Sequence, residues 1–284
     1  MRFVRYDQDR LGLLREEGVV DLTGRLGLGS ADPLREYIEE GYDASEYADA
    51  PPDHAREAVR LESPIRRPGK VIAAPGNYED HIREAIEDED VSVEEYYSIE
   101  DWGYFLKATS SIVGPEDRIV LPFTDRRCDH EVELAYLMAE DVKDVDAADA
   151  WDHIFGYTVL IDVSVRGDQD RSSRKSHDTF TVVGPAVVTP DELGDPQDLR
   201  MQLSVNDEVR QDASTSNMIY DCAEFVQYAS IGTTLEAGDI LTTGTPSGVG
   251  PLADGDTVHA EIEGIGSMSL PVEAVDASYH DAAP

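Results

Sequence analysis

The sequence predicts a mixed, β-rich α+β fold, and three observations predict it. Strand-like segments dominate from Lys70 onward, helical patterns are few, and neither a βαβ alternation nor a repeat of fixed period runs through the chain. In order, "MRFVRYDQDRLGLLREEGVVDLTG" reads as short strands broken by turns and "DPLREYIEEG" as a helix. A charged, proline-containing stretch, "YADAPPDHAREAVRLESPIRRPG", follows, and apolar strand signals restart at "KVIAAPGNY" with a different rhythm. Residues 1–66 are therefore expected to form a small N-terminal α/β domain, and residues 67–284 a larger one. In the larger part "KVIAAP", "YFLKAT", "RIVLP", "HEVELAYLM", "FGYTVLIDVSV", "AVVTP", "MQLSVN", "DILTTG", "TVHAEIE" and "SMSLPVEAV" read as strands. The expected helices there are "NYEDHIREAIED", "DAADAWDHI" and "CAEFVQYAS".

Composition narrows the function. The 284 residues carry 60 acidic and 23 basic side chains, a formal net charge of −37 at pH 7. Such a chain lacks the phosphate-neutralising surface that nucleic acids and anionic membranes require. The acidity is spread along the whole length, and only Lys70, Lys107, Lys143 and Lys175 are lysine. This reads as adaptation to molar salt, where long-range self-repulsion is screened. The 40% of hydrophobic residues, in regular segments, counts against disorder. Cys128 and Cys222 have no pairing or metal-binding spacing, and neither a secretory signal nor a membrane-length apolar run is evident. A cytoplasmic enzyme is expected.

The chemistry begins at "CDHEVELAYL", residues 128–137. Read as a strand, it puts Glu131, Glu133 and Ala135 on one face and Val132, Leu134 and Tyr136 on the other. Two like charges on one face repel, and in a central strand they must also be desolvated, unless a divalent cation neutralises them. An exposed acidic edge strand would carry the same pattern. A third oxygen ligand is available in Asp162, a lone acid ending the apolar run "FGYTVLID". Three carboxylates describe a hard-cation site for Mg²⁺, Mn²⁺ or Ca²⁺ rather than zinc. His81 and Glu84 lie three apart on a helix beginning, where the acid can orient the imidazole as a base for water; a surface ion pair reads the same way. Lys175 and Lys107 are lysines in a chain that otherwise uses arginine, and only lysine can be tuned to exchange a proton. The loop "TTGTPSGVGP", residues 242–251, lacks a P-loop ending and reads as a close backbone approach to a ligand or a tight turn.

In order and spacing across about 70–275, "GNYEDHIREA", "FLKATSSIVGPEDRIVLP", "DHEVELAYLM", "GYTVLIDVSVRGDQ", "KSHDTF", "VGPAVVT" and "GDILTTGTPSGVG" resemble the fumarylacetoacetate hydrolase family. The resemblance implies a β-roll catalytic domain, a homodimer, and Mg²⁺ or Mn²⁺ held by Glu131, Glu133 and Asp162. It implies a catalytic His81–Glu84 dyad on a mobile lid and an active-site Lys175. Substrate contacts would fall on Tyr78, Lys107, Arg166, Gln169, Gly244 and Thr245. Two departures bear on the substrate: Gly167 follows Arg166 where the family often has Asp, and the stretch from Gln169 to Lys175 is short and lacks a Trp. His177 stands where Phe is usual. The implied activity is metal-dependent chemistry on a small 2-oxo or β-diketo acid through an enolate: acylpyruvate hydrolysis, decarboxylation or isomerisation. Dehydration of 2-keto-3-deoxy sugar acids is the alternative within the family, and a non-catalytic small-molecule binder is the alternative outside it. A calcium-stabilised structural protein is disfavoured by the absence of a D-x-D-x-D-G loop.

Overall fold

The computed structural model describes residues 1–87 and 99–282. Among them, one sheet of twelve strands organises the molecule. Val132–Met138 lies at its centre, antiparallel to Ile154–Asp162 on one side and Ile240–Thr242 on the other. All of Val132–Met138 is buried, which removes the exposed-edge alternative. Period-two alternation sorts its side chains as expected. Val132, Leu134, Tyr136 and Met138 enter the main core with Met201, Leu203, Phe225 and Val258, while Ala135 and Leu137 enter a second cluster with Leu160, Val183 and Ile240.

A five-stranded sheet, ordered Glu208–Ser214, Arg200–Val205, Thr257–Ile262, Gly266–Ala274 and Ile119–Leu121, contributes its apolar residues to the main core. Glu208–Ser214 is the strand the sequence pattern does not reveal. It is polar along most of its length, with Gln211 its one fully buried residue. The helix Cys222–Ser230 starts on a reciprocal cap, in which Asp221 accepts from the Glu224 N–H and Glu224 accepts from the Asp221 N–H. It buries Phe225, Val226 and Ala229, and Tyr136 donates its hydroxyl to Cys222 O at 3.0 Å. Cys128 and Cys222 are free and buried. The expected helix at 77–88 is found over Glu79–Glu87, and Asp88 lies outside the described residues. No helix among the described residues is long and apolar enough to cross a membrane.

Residues 1–66 add strands to the same twelve-stranded sheet. Arg2–Tyr6 pairs with Thr181–Val188, and Arg10–Arg15, Gly18–Asp21 and His54–Ala55 extend the edge from there. Phe3, Leu11, Leu13, Val20, Leu34 and Tyr37 from this segment pack in the cluster that holds Leu137, Leu160 and Val187. Removing residues 1–66 would give that face of the central strands to water, at roughly 25 cal/mol per Å² of apolar surface. A 67–284 fragment is therefore expected to be recovered without the near-UV circular dichroism of a packed core. A fragment with native near-UV signal and a cooperative thermal transition would contradict this.

Candidate active site

The register of the central strands assembles the site. Val132 opposite Ile161 sets Asp162 beside Glu131, and the Asp162 N–H donates to Glu131 O at 2.8 Å. Ala135 opposite Thr242 sends the following loop past Glu133. A small sheet of Ser164–Val165, Cys128–His130 and Gly250–Pro251 then ties together the chain on either side of these residues. As a result Glu131, Glu133 and Asp162, all buried, present carboxylate oxygens within 4.8 Å of one another.

Buried acids in this number require compensation. Lys175 Nζ donates to Glu131 Oε2 at 2.6 Å and to Asp162 Oδ2 at 2.7 Å. Its third N–H has no acceptor among the described residues, and the ammonium lies 5.4 Å from the centre of the Phe105 ring. Burial opposes the charge on Lys175, but Asp162, Glu131 and Glu133 together hold its pKa above the usual lysine value. Arg166 bridges Glu131 Oε1 at 3.0 Å and Asp129 Oδ2 at 2.7 Å, and Arg127 meets the other oxygen of Asp129 at 2.8 Å. Burial alone would raise Glu131; Lys175 and Arg166 outweigh it and hold that carboxyl well below the usual range. Glu133 differs. It makes no ion pair among the described residues, accepting only from the Thr242 hydroxyl and from Gly244 N–H at 3.1 Å. Burial, with repulsion from Asp162, pushes it up to about 8. A buried carboxylate trio in which one member lacks a counter-charge is the donor set a hard divalent cation fits.

The glycine-rich loop serves both halves of the site. Gly244 has φ +79°, and a Cβ there would meet Ala74 O at 3.2 Å, so the close backbone approach that brings its N–H to Glu133 favours glycine. Gly248 N–H donates to both oxygens of Glu84 at 3.0 Å. Glu84 in turn faces His81, Oε2 to Nδ1 at 3.4 Å, and His81 lines the same cavity as Glu131, Glu133, Lys175 and Thr245. This inner cavity joins a wider cleft of about 510 Å³, since both are lined by Pro75, Phe105, Arg166, Arg171 and Arg174.

The structure thus brings together His81, Lys175, Arg166, Gly244 and Thr245 with the three carboxylates, and holds Glu84 behind His81. Two of the expected substrate contacts, Lys107 and Tyr78, line neither cavity. Lys107 is buried beneath Asp162 and lines neither cavity: its Nζ donates to Asp162, to Lys175 O, and to Phe180 O at 3.2 Å. Burial lowers its pKa, yet three acceptors consume all three N–H groups of an ammonium, so the charged form satisfies the geometry. Its role is to neutralise Asp162 from below. Tyr78 is buried in the main core, where its hydroxyl lies 3.3 Å from Met201 Sδ, and it lines neither of these two cavities. Gln169 is exposed in the outer cleft, where its Oε1 accepts from Arg126 at 2.9 Å. Thr245 spends its hydroxyl proton on Val132 O at 2.9 Å and accepts from Gln211 Nε2 at 2.8 Å.

Sequence reasoning missed Asp129, Thr242, Arg174 and Gln211. Asp129 continues the period-two acids 129, 131 and 133, a signal that was present in the pattern. Gln211 gave none, yet its Oε1 accepts from Val132 N–H at 3.0 Å and its Nε2 donates to Pro246 O at 2.9 Å as well as to Thr245.

The model of the fumarylacetoacetate (FAA) hydrolase C-terminal domain matches residues 70–273. The chain is 40% identical over 290 residues to maleylpyruvate hydrolase of Aquipseudomonas alcaligenes, across 97% of this chain and 100% of that one. It is 34% identical over 302 residues to the mitochondrial oxaloacetate tautomerase of Xenopus laevis, across 96% of this chain and 90% of that one. The crystal structure of maleylpyruvate hydrolase from Sphingobium sp. SYK-6 in complex with manganese(II) and pyruvate resembles it with a TM-score of 0.84 at 36% identity, covering 96% and 99% of the two chains. The chain belongs to the fumarylacetoacetate hydrolase family.

Gln211→Leu leaves the Val132 N–H and Pro246 O without their partners and is expected to cost about 2–4 kcal/mol of stability. Chemical denaturation of the variant measures this, and an unchanged midpoint would contradict the positioning role.

Proposed function

We propose that this protein is a divalent-metal-dependent hydrolase of acylpyruvates, cleaving the C–C bond between the acyl carbonyl and the pyruvate unit. The observation that carries the reading is the buried Glu131–Glu133–Asp162 trio, of which Glu131 and Glu133 line a cavity together with His81 and Lys175. Its kinship supports the same chemistry: one relative is named for maleylpyruvate hydrolysis and one solved relative holds manganese(II) with pyruvate.

Glu131, Glu133 and Asp162 would hold Mg²⁺ or Mn²⁺. When bound, the ion supplies a Lewis acid for the carboxylate and 2-oxo oxygens of a 2-oxo acid, the place where negative charge develops as the bond breaks. The chain's own residues do the rest. His81 takes a proton from the water that adds to the acyl carbonyl, and Glu84, fixed by Gly248 N–H, steadies the resulting imidazolium. The bond to C3 of the pyruvate unit then breaks with its electron pair on that carbon, giving a carboxylic acid and the enolate of pyruvate. Lys175, kept protonated by its two carboxylate partners, has one N–H directed by neither of them and donates to the enolate. Arg166 keeps Glu131 ionised and oriented. The net charge of −37 supports a high-salt setting, and a cytoplasmic homodimer is part of the proposal.

A second reading, enol–keto isomerisation of oxaloacetate, is favoured by the full-length kinship to the tautomerase. It uses the same oxygen-binding site and Lys175 without the water that His81 activates. The test follows pyruvate release from acylpyruvates and loss of enol absorbance from oxaloacetate, in molar KCl with Mg²⁺, with Mn²⁺ or with EDTA. Pyruvate release is expected to vanish with EDTA and to fall by about 10²- to 10⁴-fold in His81→Ala. Enol loss alone, insensitive to His81→Ala, selects the isomerase. Turnover of neither substrate with metal bound contradicts both readings.

A further inference from the structure

Arg174 ends the short helix Arg171–Arg174 immediately before Lys175, and it lines both the inner cavity and the outer cleft. Its guanidinium is pinned by main-chain acceptors, Nε to Gln169 O at 2.7 Å and Nη1 to Val165 O at 2.9 Å. No hydrogen bond occupies Nη2, and no carboxylate pairs with Arg174 among the described residues. That is unusual company for a cation in a chain with 60 acidic residues. Asp168 and Asp170 line the same cleft without pairing with it; Asp170 instead accepts from Ser172 N–H at 2.8 Å. Arg166, beside it, is already paired with two carboxylates, Asp129 and Glu131. Burial and repulsion from Arg166 both act against the charge on Arg174, so an anion arriving from the cleft would relieve a cost already present. Trp102, Phe105 and Leu106 give the same cleft apolar lining.

We propose that Arg174 receives a second carboxylate, at the acyl end of the substrate, so that the enzyme selects acylpyruvates with an acidic arm over those with an uncharged one. The head of such a substrate would sit at the carboxylate trio, its arm would run along Phe105 and Leu106, and its terminal carboxylate would meet Nη2. A fixed guanidinium suits this task because its planar donors match a carboxylate and its charge does not titrate. The inference rests on the acylpyruvate reading above for the position of the head.

The experiment uses the full-length, Mn²⁺-loaded protein and two matched pairs of probes. Calorimetry compares 2-oxoadipate with 2-oxohexanoate, which share the oxo-acid head and differ in the terminal carboxylate. Kinetics compare maleylpyruvate with acetylpyruvate. In Arg174→Gln, affinity for 2-oxoadipate and KM for maleylpyruvate should worsen by roughly 10- to 100-fold, with the uncharged partners within about 3-fold and kcat preserved. Arg174→Lys should restore part of the loss. Equal losses for both members of each pair would overturn the proposal, assigning Arg174 to the shared head or to folding, and no loss for either would overturn it as well. If the wild type cleaves neither acylpyruvate, the hydrolase reading falls while the oxo-acid pair still decides Arg174. Equal wild-type affinity for the two oxo acids, or none for both, overturns it directly.

Discussion

Three carboxylates buried at the end of one sheet can persist only where positive charge meets them, and the rest of this structure is arranged to deliver that charge. Lys175 lies between Glu131 and Asp162, Lys107 supports Asp162 from beneath, and Arg166 closes the far side of Glu131. Half of the chain's four lysines are committed here. The reason is geometric. A compact ammonium can send donors in three directions, to a carboxylate and two main-chain carbonyls in the case of Lys107, whereas a planar guanidinium cannot fit those acceptors at once. Glu133 is left with dipoles instead of a cation, and that imbalance is what a bound metal ion would correct.

The supporting elements follow from the same requirement. Central placement of Val132–Met138 makes the acids dry, the pairing register sets Asp162 beside Glu131, and the glycine-rich loop brings an amide to Glu133. Gln211 then bonds that loop to the Glu-bearing strand through Val132, Thr245 and Pro246. The loop also reaches the His81–Glu84 pair, because Gly248 N–H fixes Glu84 behind His81. One segment thus contacts both the carboxylate trio and the His–Glu pair. The N-terminal 66 residues act at a distance by keeping the second face of the same strands dry.

Much of this was legible in the sequence because burying acid is costly enough to leave a mark. Glu131, Glu133 and Asp162 stand out as charges inside apolar strand runs, and Lys175 stands out because lysine is scarce. Fold class and most strands followed from period-two alternation, which is strong wherever a strand is buried on at least one face. Side-chain direction was less legible. Tyr78 and Lys107 neighbour site residues along the chain, but one turns into the core and the other lies beneath the acids. Gln211 sits on a strand too polar to show a pattern, and Arg174 is one arginine in an unremarkable polar stretch. Their significance comes from contacts or missing contacts across the fold, which no local spacing encodes.

The central claim is that the Glu131–Glu133–Asp162 trio is a cation site completed by charge that the protein alone does not supply to Glu133. Titration of the metal-free protein with Mn²⁺, followed by electron paramagnetic resonance of the free ion, tests it most directly when wild type is compared with Glu133→Gln at equal fold content. The account predicts one tight site per chain in the wild type and a loss of affinity of roughly 10²-fold or more in the variant, on the scale of removing a charged ligand. Tight binding unchanged by Glu133→Gln, or no binding to the wild type, would contradict it.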